Sequence, residues 1–158
     1  MNSQNLQQLQ KVMEEMMDLE IALADLYHAC SQAFPGDTQF WYAIKRQKEH
    51  HADAVRKISA LVAADPHDFA PGGNLNAAPF KTIKKGILAH IAALKRGEIA
   101  QAAMVTIARD IEGSVLELNY RGLVNTANAK FLEGIKRIDD ETMAHKYLMV
   151  KRIASMND

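Results

Sequence analysis

The chain lacks several features that mark whole classes of protein. Its single cysteine, Cys30, cannot form an intramolecular disulfide. No uncharged apolar run approaches the roughly 18 residues that a membrane-spanning helix needs, and there is no glycine-rich phosphate-binding loop. The first thirty residues are rich in glutamine and acidic side chains, where a signal peptide would carry an apolar core. We therefore predict a cytoplasmic protein without membrane segments.

The chain also has no excess of positive or negative charge. The 19 lysines and arginines balance 19 aspartates and glutamates, so no global field attracts nucleic acid or an anionic membrane. The 158 residues are 48% hydrophobic, which is enough for one domain with a core and too few to argue for two. A single domain over residues 1–158 is the prediction.

Helical periodicity dominates the sequence, and strand signals are almost absent. Four segments carry a seam of mainly apolar residues at alternating steps of three and four, as helices that line a bundle do. The first seam is Leu6, Leu9, Met13, Met16, Glu20, Leu23, Tyr27, Cys30 and Phe34. The second is Trp41, Ile44, Lys48, His51, Val55, Ile58 and Val62. The third is Val105, Ala108, Glu112, Val115 and Asn119, and the fourth is Phe131, Ile135, Ile138, Thr142, His145, Met149, Arg152 and Met156.

The residues between these segments, which favour turns and helix ends, predict two helical hairpins. Pro35-Gly36 ends the first helix and Asp37 is expected to cap the second, which stops before Asp65-Pro66. Residues 65–79 are predicted as loop and residues 80–95 as a short amphipathic helix. The third core helix is predicted from Glu98 to Val124. The fold class is therefore all-α: a four-helix bundle with a long crossover, containing a short helix, between the second and third core helices.

Polar residues interrupt all four seams at similar heights. Counted from the turn of each hairpin, Glu20 is nearly level with Lys48 and His51, and Glu112 is nearly level with Thr142 and His145. Each hairpin is therefore expected to bury a polar layer near its middle.

These residues and their surrounding motifs resemble the di-iron centre of the ferritin-like superfamily, most closely its rubrerythrin-related branch. Such a centre takes one glutamate from each of two helices and a Glu-x-x-His pair from each of the other two. EIALADLY, with Glu20, and DIEGSVLELNY, with Glu112, resemble the single-glutamate motifs. WYAIKRQKEHHADAV, with His51, and IDDETMAHKYL, with His145, lie where the Glu-x-x-His motifs belong. The resemblance spans about residues 5–154.

The sequence departs from this pattern at both bridging carboxylates. Three residues before the histidines stand Lys48 and Thr142 instead of glutamates. Glu49 and Glu141 are further candidate ligands, although each is one position, about 100°, off its seam. No C-x-x-C pair is present, so the rubredoxin-type iron site of full-length rubrerythrins is absent.

Two functions follow from the resemblance and its departures. The first is a metal-binding protein that holds iron through Glu20, His51, Glu112 and His145, with oxidoreductase chemistry such as peroxide reduction or ferrous oxidation on a small-molecule substrate. Donors of these types also suit manganese or zinc. The second is a metal-free, non-catalytic bundle in which Lys48 replaces the metal as counter-charge to Glu20 or Glu112.

Simpler interpretations of the same residues stay open at this point. His51 and His145 could be hydrogen-bonded core histidines, and Lys48 could extend along its stem to solvent. A homodimer is expected, because related bundles pair through helix faces and the short helix over 80–95 adds apolar surface.

Overall fold

The computed structural model of the chain describes residues 1–73 and 75–157, and this part is predominantly helical with little sheet. The all-α prediction is confirmed at this level. The α-helices are α1 (Ser3–Ala33), α2 (Thr38–Ala64), α3 (Ala78–Lys95), α4 (Gln101–Glu117) and α5 (Ala129–Met156). Two short strands are β1 (Phe69–Pro71) and β2 (Val124–Thr126). Single 3₁₀ turns cover Pro35–Asp37, Pro66–Asp68 and Tyr120–Leu123.

The helices pack as two hairpins. Helix α1 lies along α2, α4 lies along α5, and α2 contacts α5 to join the hairpins. Helix α3, within the connection from α2 to α4, packs against α1. None of the helices in the described part of the chain is both long and apolar enough to cross a membrane.

Local sequence explains where several helices begin and end. The side chain of Asn2 accepts a hydrogen bond from the backbone N–H of Asn5 at the start of α1. Asn128 does the same for the N–H of Phe131 at the start of α5. Helix α2 ends at Ala64 as predicted, just before the Asp65-Pro66 pair, because proline cannot continue the hydrogen-bond pattern of a helix.

Asp37 stands at the predicted N-cap position of α2, but its side chain makes no capping hydrogen bond. Its carboxylate instead accepts hydrogen bonds from Gln101, at the start of α4, and from Arg152, near the end of α5. Those contacts join three elements at one end of the molecule. The competing partners are distant in sequence, so the capping pattern alone did not reveal them.

The third core helix is shorter than predicted. It ends at Glu117 instead of Val124, because Asn119 takes a left-handed backbone conformation with φ of 54°. Asparagine tolerates this region better than most residues. The chain then forms the 3₁₀ turn and β2.

The prediction of unbroken loop over residues 65–79 is wrong at β1. Phe69–Pro71 pair antiparallel with Val124–Thr126, which ties the long connection to the α4–α5 turn. Each strand has three residues, too few to give a period-two pattern that sequence reading could detect. Asn74 and Asp158 lie outside the described residues, so the single domain over 1–158 stays a prediction.

Candidate functional site

A layer of polar side chains crosses the interior between the two hairpins. We call this set the polar layer, and each member is at most 2% exposed. Its six residues are Glu20 on α1, Lys48 and His51 on α2, Glu112 on α4, and Thr142 and His145 on α5. The structure therefore brings together, in an otherwise apolar core, the six residues that were expected to form the polar layers of the two hairpins.

Lys48 lies between the two buried carboxylates. Its Nζ is 2.8 Å from Glu112 Oε2 and 3.8 Å from Glu20 Oε2. Burial alone would lower the pKa of the Lys48 ammonium, but the charges of Glu112 and Glu20 outweigh this effect and raise the pKa above its usual value. Lys48 is wholly buried, so its stem does not extend to solvent.

Each buried glutamate also accepts a hydrogen bond from a tyrosine of the other hairpin. The hydroxyl of Tyr27 on α1 donates to Glu112 Oε1 at 2.7 Å. The hydroxyl of Tyr120, in the 3₁₀ turn after α4, donates to Glu20 Oε1 at 3.1 Å. Burial and then the nearby glutamate raise the pKa of both tyrosines, so both phenols keep their protons and act as donors.

The electrostatic surroundings of Glu20 favour its charged form. Burial would raise the pKa of this carboxyl group, yet Lys48 and His51 together hold it below its usual value. Its Oε1 is bonded to Tyr120, whereas Oε2 has no hydrogen-bond partner among the described residues. The nearest polar groups to Oε2 are Lys48 Nζ and His51 Nδ1, the latter at 3.5 Å.

His51 connects the polar layer to the surface through Glu141. Its Nε2 lies 2.7 Å from Glu141 Oε2, and Arg137 donates to the other oxygen of Glu141 at 2.9 Å. Burial would raise the pKa of Glu141, but Arg137 and His51 lower it. Glu141 therefore reaches inward from its off-seam position, because its side chain spans the gap between α5 and α2.

Glu49, the other off-seam candidate, is not brought to the polar layer. Its side chain is 49% exposed and pairs with Lys45 at 3.1 Å on the surface of α2. An i,i+4 partner on the same helix holds it away from the interior.

His145 is held in a neutral form on the opposite side of the polar layer. Its Nε2 contacts Gln47 Oε1, so this nitrogen carries the proton and donates it to the amide oxygen. Burial, followed by the charges of Lys48 and His51, lowers the pKa of His145 to about 3. The 3.9 Å approach of His145 Nδ1 to Glu112 Oε1 is therefore not an ion pair at neutral pH.

Thr142 contributes no charge and no ligand atom to the centre. Its hydroxyl donates to the carbonyl of Ile138, one turn earlier on α5, at 2.7 Å. The position where the resemblance expects a bridging glutamate is thus occupied by a group that satisfies itself locally.

Sequence reasoning did not identify the partners of three residues around the polar layer, although Tyr120 was expected to be a packing and hydrogen-bonding group. Tyr120 stands eight residues after Glu112, one more than the seven that separate Glu20 and Tyr27, so the repeat spacing pointed to Asn119 instead. Gln47 and Arg137 lie on exposed helix positions with no distinctive motif. The packing of α2 against α5 brings Gln47 to His145, whereas Arg137 contacts Glu141 one turn later on α5 itself.

The donor set does not fit the dimetal centre that the resemblance implies. Both bridging carboxylates are missing, and the Lys48 ammonium, which offers a metal no lone pair, lies between the two remaining ones. Both oxygens of Glu112 are already bonded, to Tyr27 and Lys48. In residues 1–73 and 75–157, no three histidine, cysteine, aspartate or glutamate side chains form a group suited to a metal ion.

Cys30, on the first seam, does not take part in this arrangement. The thiol is buried, and burial raises its pKa to about 12, so it is protonated and unreactive at neutral pH.

Comparison with known proteins adds no further assignment: no protein-family model matches the chain, and no significant match was found among curated proteins or solved structures.

Proposed function

We propose that this chain is a ferritin-like four-helix bundle related to the rubrerythrins, in which Lys48 takes the place of the metal and the protein has no catalytic metal centre. The observation that carries the proposal is the buried Lys48 ammonium, 2.8 Å from Glu112 and 3.8 Å from Glu20. Two hairpins, α1–α2 and α4–α5, joined by a long connection that contains α3, are the expected connectivity of such a bundle.

Charge balance explains why a lysine suits this position. Two carboxylates in an apolar core repel one another and are costly to bury without a cation. One ammonium between them offsets part of that cost, and hydrogen bonds from Tyr27 and Tyr120 stabilise the carboxylates further. The same positive charge opposes the approach of a divalent cation. The role of the protein would then lie in its surface and in its assembly, and a cytoplasmic location stays a prediction.

A second candidate is a metal-binding protein, and one observation favours it. Glu20 Oε2, His51 Nδ1 and His145 Nδ1 are buried, and each lacks a hydrogen-bond partner among the described residues. Carboxylate oxygen and imidazole nitrogen are donors that iron, manganese and zinc accept. With a redox metal, these residues would support the peroxide reduction or ferrous oxidation that the resemblance implies. Lys48 would have to leave its present place for an ion to bind there.

The substitution Lys48→Glu separates the two candidates, because it recreates a Glu-x-x-His pair with His51. If Lys48 is the counter-charge, the metal-free variant should lose about 3–5 kcal/mol of unfolding free energy, as expected when one partner of a buried ion pair is removed. Added ferrous iron or zinc should restore part of this loss, by about 2.7 kcal/mol at a hundredfold excess over the dissociation constant. Chemical denaturation with and without metal measures both effects.

A matched control is Lys57→Glu, on the same helix, where the lysine is 74% exposed and pairs with Asp53 at 3.2 Å. This variant should change stability little and show no response to metal. Elemental analysis of the wild-type protein, expressed with iron and zinc available, completes the test. Near-stoichiometric metal in the wild type would favour the second candidate. Unchanged stability and equal metal affinity in wild type and Lys48→Glu would reject the counter-charge proposal.

A further inference from the structure

A surface cavity between α2 and α5 reaches one member of the polar layer. Its volume is about 390 Å³, a size suited to a small organic molecule. His51 and Ile138, both buried, lie in its lining together with charged side chains of the two helices. A solute can therefore approach the interior of the bundle here.

Positive side chains outnumber negative ones in the lining of this cavity. The cations are Lys57, Lys130 and Arg137, and the acids are Asp53 and Glu133. Lys57 and Asp53 pair with each other at 3.2 Å, which leaves Lys130 and Arg137 against Glu133. The lining thus favours an anion over a cation.

Two of the lining residues already hold a carboxylate, that of Glu141. His51 Nε2 lies 2.7 Å from Glu141 Oε2, and Arg137 Nε donates to Glu141 Oε1 at 2.9 Å. An ionised carboxylate only accepts hydrogen bonds, so His51 Nε2 carries a proton and donates it. Each oxygen of one carboxylate therefore has its own donor, and one donor is charged, which makes the contact a strong one.

Glu141 stands at the edge of the interior, where its side chain is 23% exposed. Rotation about its side-chain bonds brings its carboxylate into water without a movement of α5. A carboxylate from solution that took its place would make the same two hydrogen bonds, and Glu141 would exchange them for bonds to water. The exchange therefore costs little hydrogen-bond energy.

We propose that this cavity is a binding site for a small carboxylic acid in its ionised form, and that Glu141 is a built-in competitor for the site. The ligand carboxylate lies between His51 Nε2 and Arg137, and Glu141 turns to solvent. Lys130, about two helical turns before Arg137 on α5, adds positive potential at the other end of the cavity.

The proposal is independent of what the polar layer holds. It uses Nε2 of His51, whereas Nδ1 of the same ring faces Glu20 at 3.5 Å. A metal found in the wild-type protein would not bear on the cavity, and a cavity that bound no carboxylate would leave the contacts of Lys48 as they are.

The test is a titration of the full chain with sodium acetate, followed by NMR resonances of the His51 ring and the Arg137 Nε–H group. Sodium chloride at equal ionic strength is the reference. Glu141 lowers the apparent affinity of the wild type, because only molecules in which it has turned away can bind. Glu141→Ala removes this competitor and should lower the dissociation constant for acetate at least about tenfold. The wild type should show the same shifts at higher acetate concentration.

The matched control is Glu49→Ala. It also removes an acid that pairs with a cation one turn away, but Glu49 lies on the surface of α2 outside the cavity. This control should leave acetate binding as in the wild type. In the Glu141→Ala background, Arg137→Gln removes one of the two donors and should raise the dissociation constant again, by at least about tenfold. Arg137 is 76% exposed, so its replacement should not disturb the fold, and circular dichroism checks each variant.

Four results would overturn the proposal. The first is an equal shift with chloride, which would show that the site does not select a carboxylate. The second is a gain from Glu49→Ala as large as that from Glu141→Ala, and the third is a double variant that binds acetate as well as Glu141→Ala. The fourth is a wild type without acetate-specific shifts at about a hundredfold the concentration that half-saturates Glu141→Ala.

Discussion

The two hairpins contribute corresponding residues to the polar layer but stabilise it in different ways. Each supplies a buried glutamate, and each glutamate accepts a hydrogen bond from a tyrosine of the opposite hairpin. At the position three residues before the histidine, however, α2 carries Lys48 and α5 carries Thr142. The first hairpin therefore provides the cation, and the second provides a hydroxyl that bonds only its own backbone.

The histidines differ in the same sense. The outer nitrogen of His51 meets the Glu141 carboxylate, whereas that of His145 meets the amide oxygen of Gln47. The partner of His51 is thus a charged group, and the partner of His145 is a neutral one. Corresponding positions in two hairpins can therefore be equally buried and still have different electrostatic roles.

The largest difference in stability between the two hairpins is expected when Lys48→Met is compared with Thr142→Val. Methionine keeps much of the lysine volume but removes the cation, so Glu20 and Glu112 are left buried without it, at a cost of about 3–5 kcal/mol. Valine at 142 removes a hydroxyl bonded only to Ile138 and should cost less than about 1.5 kcal/mol. Urea denaturation at pH 7 measures both. Equal costs would show that the two hairpins contribute alike.

A smaller difference is expected between the two tyrosines. Tyr27→Phe removes a 2.7 Å hydrogen bond to Glu112 and should cost about 1.5–3 kcal/mol, the range for bonds to charged groups. Tyr120→Phe removes a longer bond, 3.1 Å, to Glu20 and should fall at or below the lower end of that range. Tyr42→Phe, at an exposed position on α2, is the control and should have little effect. A larger loss for Tyr120→Phe would contradict the reasoning from bond length.

The smallest expected effect is the change in unfolding free energy per pH unit that is due to His145. Its folded pKa of about 3 lies below the ordinary value of 6.5, so the unfolded chain binds this proton first as the pH falls. The resulting stability is fully present above about pH 6.5 and is lost toward pH 3, with a slope of up to about 1.4 kcal/mol per pH unit. His145→Gln should flatten the pH dependence of unfolding between these limits. Identical slopes in wild type and His145→Gln would show that the histidine is not held neutral.

The sequence by itself was sufficient for features that depend on local periodicity. Apolar steps of three and four predicted the helical segments, because the same residues must share one face of a helix to be buried. The interruption of those seams by Glu20, Lys48, His51, Glu112 and His145 identified residues that the fold buries, since seam phase fixes the direction of a side chain.

Only the tertiary structure decided how those residues meet. The contact of Lys48 with Glu112 joins positions 64 residues apart, and the choice between Glu112 and Glu20 as its closer partner depends on how α2 and α4 approach. From the seam positions alone, Glu49 and Glu141 were equally good candidate ligands. Of the two, Glu141 reaches a buried histidine, because α5 presents it to α2. Glu49 pairs with Lys45 at the surface instead. The left-handed Asn119 ends the helical spacing after α4, so the tyrosine that reaches Glu20 is Tyr120 in the following 3₁₀ turn. Strand β1 pairs with a strand more than fifty residues away. Periodicity records which face of an element is buried, whereas the distances and partners within the core depend on all the elements that pack around it.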